Sequence, residues 1–320
     1  MHDRDEAFAR LLGLTGPLFV VLDGAQFVDL PDDLVRSDLR ASSLYKERGR
    51  DGSADYERTA PRLLSVSAQY DWKNEVMGVE EALRTVLRLI DKRPAAVFWE
   101  CSAGEHSLYR HLRSMNEVLY PKETRLQPAS FDLAENVSSV PLERVLFRHA
   151  DANALVQVAT ALRPDQVARL LGPAARLLCW PDAEWSSDVN FELEPTASVE
   201  PSRGTLTIDV DTAERIAAER LTGRTVRYLR ETNPQLTAGM AASELRRRVA
   251  SWSADGHDRG MRTERAVWKW NYLNLLTRGG IAERSDVAAY LVDDDPTWPI
   301  DDRVDDLMSG AVAELREVAR

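Results

Sequence analysis

Cysteine is almost missing from this chain of 320 residues: only Cys101 and Cys179 are present, far apart in sequence. That excludes a disulfide scaffold and a cysteine-rich zinc site, and it fits a reducing compartment. Basic residues are in deficit as well, with 41 Lys and Arg against 52 Asp and Glu, for a net charge of −11. Binding to phosphate backbones needs clustered Lys and Arg, so no nucleic-acid partner is expected. Apolar runs are short. None approaches the roughly 20 residues that cross a bilayer, so no membrane insertion is expected. The opening MHDRDEAFARLLGL carries mixed charge, and no secretory signal is read in it. The expected location is cytoplasmic.

Catalytic and cofactor signatures are also lacking. No G-x-x-x-x-G-K-[ST] occurs, and Gly13-Leu-Thr-Gly16 precedes an apolar run instead of following one, the wrong order for a phosphate cradle. No G-x-S-x-G and no H-E-x-x-H is found. His106 and His111 are five apart, about 140° around a helix, and so do not share a metal-facing side. The acidic run Asp293-Asp294-Asp295, with Asp301, Asp302, Asp305 and Asp306, lacks the Gly and the closing Glu of an EF-hand. A solvated acidic loop, with Asp301 or Asp302 capping the last helix, accounts for it. No cofactor, no metal and no catalytic residue is expected from these patterns.

What is present is ordinary globular material, 44% apolar and 29% charged, and the length suits two domains. Apolar, β-branched runs at 17–22, 63–66, 95–99, 144–147 and 175–180 read as strands. Between them, Val79, Leu83, Val86, Leu87 and Ile90 share a helical face, as do Leu108, Leu112 and Met115. Pro164, Asp165 and Gly172-Pro173 punctuate a short helix. This alternation predicts an α/β domain over 1–182, with a mixed or mostly parallel sheet covered by helices. Residues 118–142 read as a long loop. The Pro- and Ser-rich stretch 183–204 reads as a linker, and an all-α helical domain is expected over 205–320. There Leu245, Val249 and Trp252 recur with helical spacing, and a helix around Trp270 is apolar on two sides and should be central.

If the runs at 17–22, 95–99 and 144–147 were parallel neighbours, Asp23, Cys101, Ser102, His149 and Asp151 would gather at one sheet edge, where open α/β sheets bind ligands. A Cys101–His149–Asp arrangement would then be available for a thiolate nucleophile. Turn, N-cap and packing roles for the same residues are the alternative. Arg148, three residues before Asp151, is placed to pair with it. Trp180, Trp185 and Trp298 are candidates for an exposed aromatic surface, or for packing.

Taken in order, Leu22-Asp23-Gly24-Ala25, Ala60-Pro61-Arg62-Leu63-Leu64, His111-Leu112-Arg113, Phe147-Arg148-His149-Ala150-Asp151, and Leu171-Gly172-Pro173 with Trp180 form a series. That series resembles the adaptor, or chaperone, proteins of bacterial type VI secretion, the Tap/TEC-type effector chaperones, over roughly residues 17–180. Arg259-Gly260-Met261-Arg262-Thr263-Glu264 resembles that family's helical half more weakly. The resemblance implies a non-catalytic protein that binds a cognate secreted effector and helps load it onto a VgrG-type spike protein. It marks Asp23, Gly24, Pro61, His111, Arg113, Phe147, Arg148, Asp151, Gly172, Pro173 and Trp180 as candidate site residues. The sequence departs from the family's Phe-Arg-aromatic-Asp-Pro-Arg run at Ala152, in place of Pro, and at Asn153, in place of the second Arg. A strand-end Cys/His enzyme and an immunity-type effector-binding protein are the alternatives.

Overall fold

The computed structural model describes residues 4–45, 54–70, 75–122, 140–187, 190–196, 199–292 and 298–318. The chain divides into two compact units: Met1–Lys122, Pro141–Asp182 and Asp188–Ile216 form the first, and Glu123–Val140, Ala183–Ser187 and Ala217–Arg320 the second.

The first unit opens with α1 (Arg4–Leu12), β1 (Leu18–Leu22), a 3-10 turn at Gly24–Gln26, α2 (Leu30–Arg36), β2 (Ser42–Ser43) and α3 (Ala54–Thr59). Next come β3 (Arg62–Ser65), α4 (Val79–Ile90), β4 (Ala96–Glu100), α5 (Glu105–Ser114), β5 (Glu117–Pro121) and β6 (Leu142–Leu146). α6 (Ala152–Ala159), α7 (Pro164–Leu171), β7 (Arg176–Cys179) and β8 (Phe191–Leu193) complete it. Six strands form one sheet in the order β2-β3-β1-β4-β7-β8. On one face Val20, Leu64, Phe98 and Leu178 lie in cross-strand register. They join the buried sides of α1, α2 and α4, including Phe8, Leu30, Leu83, Val86 and Ile90, in one core. Each such side chain contributes about 1.5–3 kcal/mol by leaving water. Residues of the opposite parity, Phe19, Val21, Val97, Trp99 and Leu177, are buried too, so both faces are covered.

The α/β region followed by helices is therefore present, but the expected strand direction is not. Every neighbouring pair in the large sheet is antiparallel. Burial on both faces gives continuous apolar strands, which usually indicate parallel sheets; helices covering both faces of an antiparallel sheet impose the same pattern. The run at 144–147 also leaves the large sheet: among the described residues β6 pairs with β5 alone, in a separate two-stranded sheet. Glu143 and Arg144 at the centre of β6 are exposed, and their charges would be costly in a sheet covered on both sides. The ends of the expected loop 118–142 are thus paired strands, while 123–139 lie outside the described residues. The expected linker 183–204 contributes β8, the edge strand beside β7.

Beyond β8 the described elements are helical: α8 (Val210–Thr232), α9 (Pro234–Thr237), α10 (Ala242–Asp258), α11 (Glu264–Leu276), α12 (Ser285–Val292) and α13 (Ile300–Val318). Within the second unit α11 packs against α10 and α13. Its Val267, Trp270 and Leu273 enter one core with Val304, and its Leu275 enters another with Leu245 and Val249. This is the central position expected of a helix apolar on two sides. Asp301 departs from its expected role. Lying inside α13, its carboxylate accepts from the backbone N–H groups of Arg262 (3.1 Å) and Thr263 (3.0 Å), so it serves the start of α11. Asp293, Asp294 and Asp295 lie outside the described residues.

Gly172 closes α7 with φ +57°, and a Cβ added there would lie 2.3 Å from the His111 ring. Gly172→Ala should therefore cost about 1–3 kcal/mol, through left-handed backbone strain and the displaced ring. A lowered urea midpoint at unchanged m-value is the expected reading, and an unaltered midpoint would contradict the close contact.

Candidate functional site

The antiparallel arrangement sets the end of β1 beside the start of β4: Leu22 pairs with Ala96, and the Asp23 N–H donates to Ala95 O at 3.0 Å. Cys101, at the far end of β4, donates its backbone N–H to Pro17 O at 2.9 Å. Asp23 and Cys101 thus lie at opposite ends of the sheet. Cys101 is buried and its thiol donates to Pro173 O at 3.4 Å, while His149 meets Asn116. The Cys101–His149–Asp arrangement does not form.

What gathers instead is a carboxylate–guanidinium cluster. Arg148 Nη2 lies 2.5 Å from Asp23 Oδ2 and 3.3 Å from Asp151 Oδ2. The two aspartate side chains are 5% and 9% exposed, whereas that of Arg148 is 41% exposed. Each aspartate divides its two oxygens between tasks. Asp23 Oδ1 accepts from Ala25 N at 3.2 Å, starting the 3-10 turn. Asp151 Oδ1 accepts from Asn153 N (2.9 Å) and Ala154 N (3.2 Å), capping α6. The Oδ2 atoms face the guanidinium, and Gln26 Nε2 adds a longer bond to Asp151 Oδ2 at 3.4 Å. One cation, 125 residues from Asp23 in sequence, therefore fixes both turn-initiating side chains.

The electrostatics follow from this burial. Removal from water, together with the nearby Asp151 charge, raises the Asp23 pKa above the ordinary carboxylate value despite the opposing Arg148. Burial alone works against the Arg148 charge, but the two aspartates outweigh it and raise its pKa.

A second constellation adjoins the first. A Cβ on Gly24 would meet Ala60 O at 2.6 Å, so only glycine lets the chain entering Pro61 pass there. Pro61 O accepts from Leu44 N at 2.9 Å, and Leu44 O accepts from Asn116 Nδ2 at 2.8 Å. That bond orients the amide, so Asn116 Oδ1 faces His149 Nε2 at 3.0 Å and the Nε2 carries the hydrogen. His149 Nδ1 is buried and meets no hydrogen-bond partner among the described residues, and Phe147 stands edge-on to the ring at 6.1 Å. Burial first, then the neighbouring His111, pushes the His149 pKa down to about 4. His111 Nε2 donates to Leu170 O at 2.8 Å, and its Nδ1 lies 3.3 Å from Arg169 Nη1. Burial lowers its pKa as well, with the Leu170 carbonyl opposing and Arg169 adding to the shift. Both histidines are neutral spacers at neutral pH.

No family model, curated protein or solved structure matches this chain.

The candidate residues therefore fall into places of different kinds. Asp23, Gly24, Pro61, Arg148 and Asp151 belong to the sheet-end cluster and its support, and His111, Phe147, Gly172 and Pro173 to the histidine layer. Trp180 is a core residue, edge-on to Phe98 at 5.3 Å with its Nε1 donating to Asn190 Oδ1 at 2.8 Å. Arg113 stays on α5, bonded to Tyr109 Oη at 3.1 Å. Asn153 and Asp182 exchange two 2.8 Å bonds, so the departure from the family run ties the start of α6 to the chain after β7. Sequence reasoning missed Gln26, Asn116, Arg169 and Asp182. Isolated polar residues carry no periodicity, and their partners are remote in sequence. In the second unit, Trp185 lies against Gly223, with Arg227 5.0 Å above its ring, whereas Trp298 is 42% exposed. Among the described residues no helix is long and apolar enough to cross a membrane, and no three His, Cys, Asp or Glu are grouped to hold a metal ion.

Two pH effects follow. His149 stays neutral in the folded chain down to about 4, while in the unfolded chain it binds a proton near 6.5. Its contribution is complete above that value and is lost as pH falls through the window, a span worth about 3 kcal/mol. His149→Gln should flatten this part of a stability-versus-pH curve; an unchanged slope would count against the buried neutral ring. Arg148→Met should cost about 1–3 kcal/mol at pH 7, discounted for the exposure of the arginine. It raises the Asp23 pKa further, so Asp23 protonation makes the deficit shrink on acidification toward pH 4; a deficit constant across that range would contradict the pairing.

Proposed function

We propose that this chain is a non-catalytic adaptor, or chaperone, of a type VI secretion effector. It holds the effector in the cytoplasm of the producing cell and helps load it onto a VgrG-type spike protein. One observation carries the reading: two marks of the resemblance remote in sequence, Asp23 and the run holding Arg148 and Asp151, meet in a single cluster of two buried carboxylates and a partly exposed guanidinium. A resemblance made of unrelated short matches would have no reason to converge on shared contacts. The cluster has the character of a positioning device. Its carboxylates are engaged with one guanidinium and two turn starts, and the guanidinium side chain is 41% exposed.

The mechanism is binding alone. One surface receives a segment of the effector and another meets the spike. A specific complex of this kind buries more than about 1,000 Å².

Co-expression with the product of the adjacent effector gene should give a complex that survives size exclusion and leaves the toxic activity of the effector intact. No complex at micromolar concentration would end the adaptor reading. A complex that neutralises the toxic domain would replace it with the immunity reading.

A further inference from the structure

β6 is an open edge. It pairs with β5 on one side, in the register Val118↔Val145 and Tyr120↔Glu143. The flanking bonds Phe147 N–H to Asn116 O and Lys122 N–H to Pro141 O, both 2.9 Å, fix which residues bond across the ladder. Successive residues alternate between bonding inward and outward. Residues 143 and 145 therefore bond to β5, and Leu142, Arg144 and Leu146 direct their N–H and C=O groups away from it. The equivalent outward groups of β5 are in use: Leu119 N–H donates to Leu206 O at 2.9 Å, and Ile208 N–H donates to Leu119 O at 2.8 Å. Those of β6 meet no strand among the described residues.

The side chains match this opening. Leu142 and Leu146 are 43% and 60% exposed, large values for leucines two places either side of a charged residue. Arg144, on the same face between them, is 65% exposed and gives one nitrogen to Glu117 Oε2 at 3.2 Å. A guanidinium carries five N–H donors in a fork, so the side away from β5 remains for a second carboxylate. Soluble proteins usually guard such edges with charge, proline or a bulge; Leu142–Leu146 carries the charges of Glu143 and Arg144 but neither a proline nor a bulge in its register with β5.

We infer that the β6 edge receives an extended segment of a partner protein as an added strand. The segment carries an acidic residue opposite Arg144 and apolar residues two places to either side. Main-chain bonds to Leu142, Arg144 and Leu146 supply the attachment, and the apolar–acidic–apolar alternation supplies the selectivity. A second copy of this chain is a poorer occupant: the two-fold pairing that uses all three outward residues sets Arg144 against Arg144, and like charges directly opposite are destabilising. The inference rests on the reading of the chain as a binding protein, and it adds the surface and the kind of segment bound.

The test uses the full chain and a capped peptide, Thr-Leu-Thr-Glu-Thr-Leu-Thr, with a version bearing Lys in place of Glu. The Glu peptide should bind saturably and slow hydrogen exchange at the amides of Leu142, Arg144 and Leu146, and the Lys peptide should bind roughly fivefold more weakly. Arg144→Pro removes an outward N–H without touching the ladder to β5, and it should abolish binding of both. Arg144→Thr keeps the N–H, so it should bind both peptides equally. Unchanged exchange at millimolar peptide, or undiminished binding by Arg144→Pro, would overturn the inference. So would slow exchange at these amides in the free chain: if concentration-dependent, a second copy holds the edge, and otherwise the chain itself does. An effector complex that survives Arg144→Pro removes this edge while leaving the adaptor reading in place; absence of any effector complex removes the adaptor reading alone, because the peptide arm is independent of it.

Discussion

A single guanidinium held between two buried carboxylates is the constraint on which the organisation of the first unit depends. Asp23 and Asp151 each begin a helical turn, and each needs one carboxylate oxygen aimed at backbone N–H groups. Without a cation between them, the other oxygens would face one another in a poorly solvated place, an arrangement that like charges do not tolerate. Arg148 resolves the conflict because its Nη2 lies between the two carboxylates and meets both at once. The end of β1, the approach to β4 and the start of α6 are thereby held in one geometry. A neutral pair of hydrophobic residues could stabilise as much, but it would not orient two caps.

Beneath that cluster, the histidine layer has the opposite character. His149 and His111 are held neutral by burial, each with its Nε2 hydrogen committed to an oxygen acceptor. Gly24 and Gly172 belong to the same design, since a Cβ at either would strike the chain or ring packed against it. The region is charged where it approaches solvent and neutral where it does not. This makes it sensitive to acid through His149 and resistant to rearrangement through the aspartates.

Much of the chain was legible in advance. The face Val79 to Ile90 became α4 with those bounds, and Pro164 to Gly172 became α7 and its C-terminal turn. Exposure of Val79 itself shows that helical spacing predicts a face better than its margin. The pairing of Arg148 with Asp151 is local, three residues apart on one turn, and so could be read from spacing. Its pairing with Asp23 could not be read that way, because it depends on how β1 meets β4. The Cys101–His149–Asp arrangement fails for a related reason: antiparallel pairing sends Cys101 to the end of the sheet away from Asp23, and the strand before His149 leaves that sheet.

Periodicity and punctuation are properties of short windows, so the sequence alone determined strands β1, β3, β4, β6 and β7, amphipathic helices such as α4 and α7, and the change from an α/β half to a helical half, but not β2, β5 or β8. Those windows report burial, and burial is indifferent to strand direction. An apolar strand covered on both faces reads alike whether its neighbours run parallel or antiparallel. Only the tertiary structure decided the antiparallel order, the transfer of β6 out of the large sheet and the meeting of Asp23, Arg148 and Asp151. Each is a contact between remote segments, fixed by the best burial of apolar faces together with the need of charged groups such as Arg144 to stay in water.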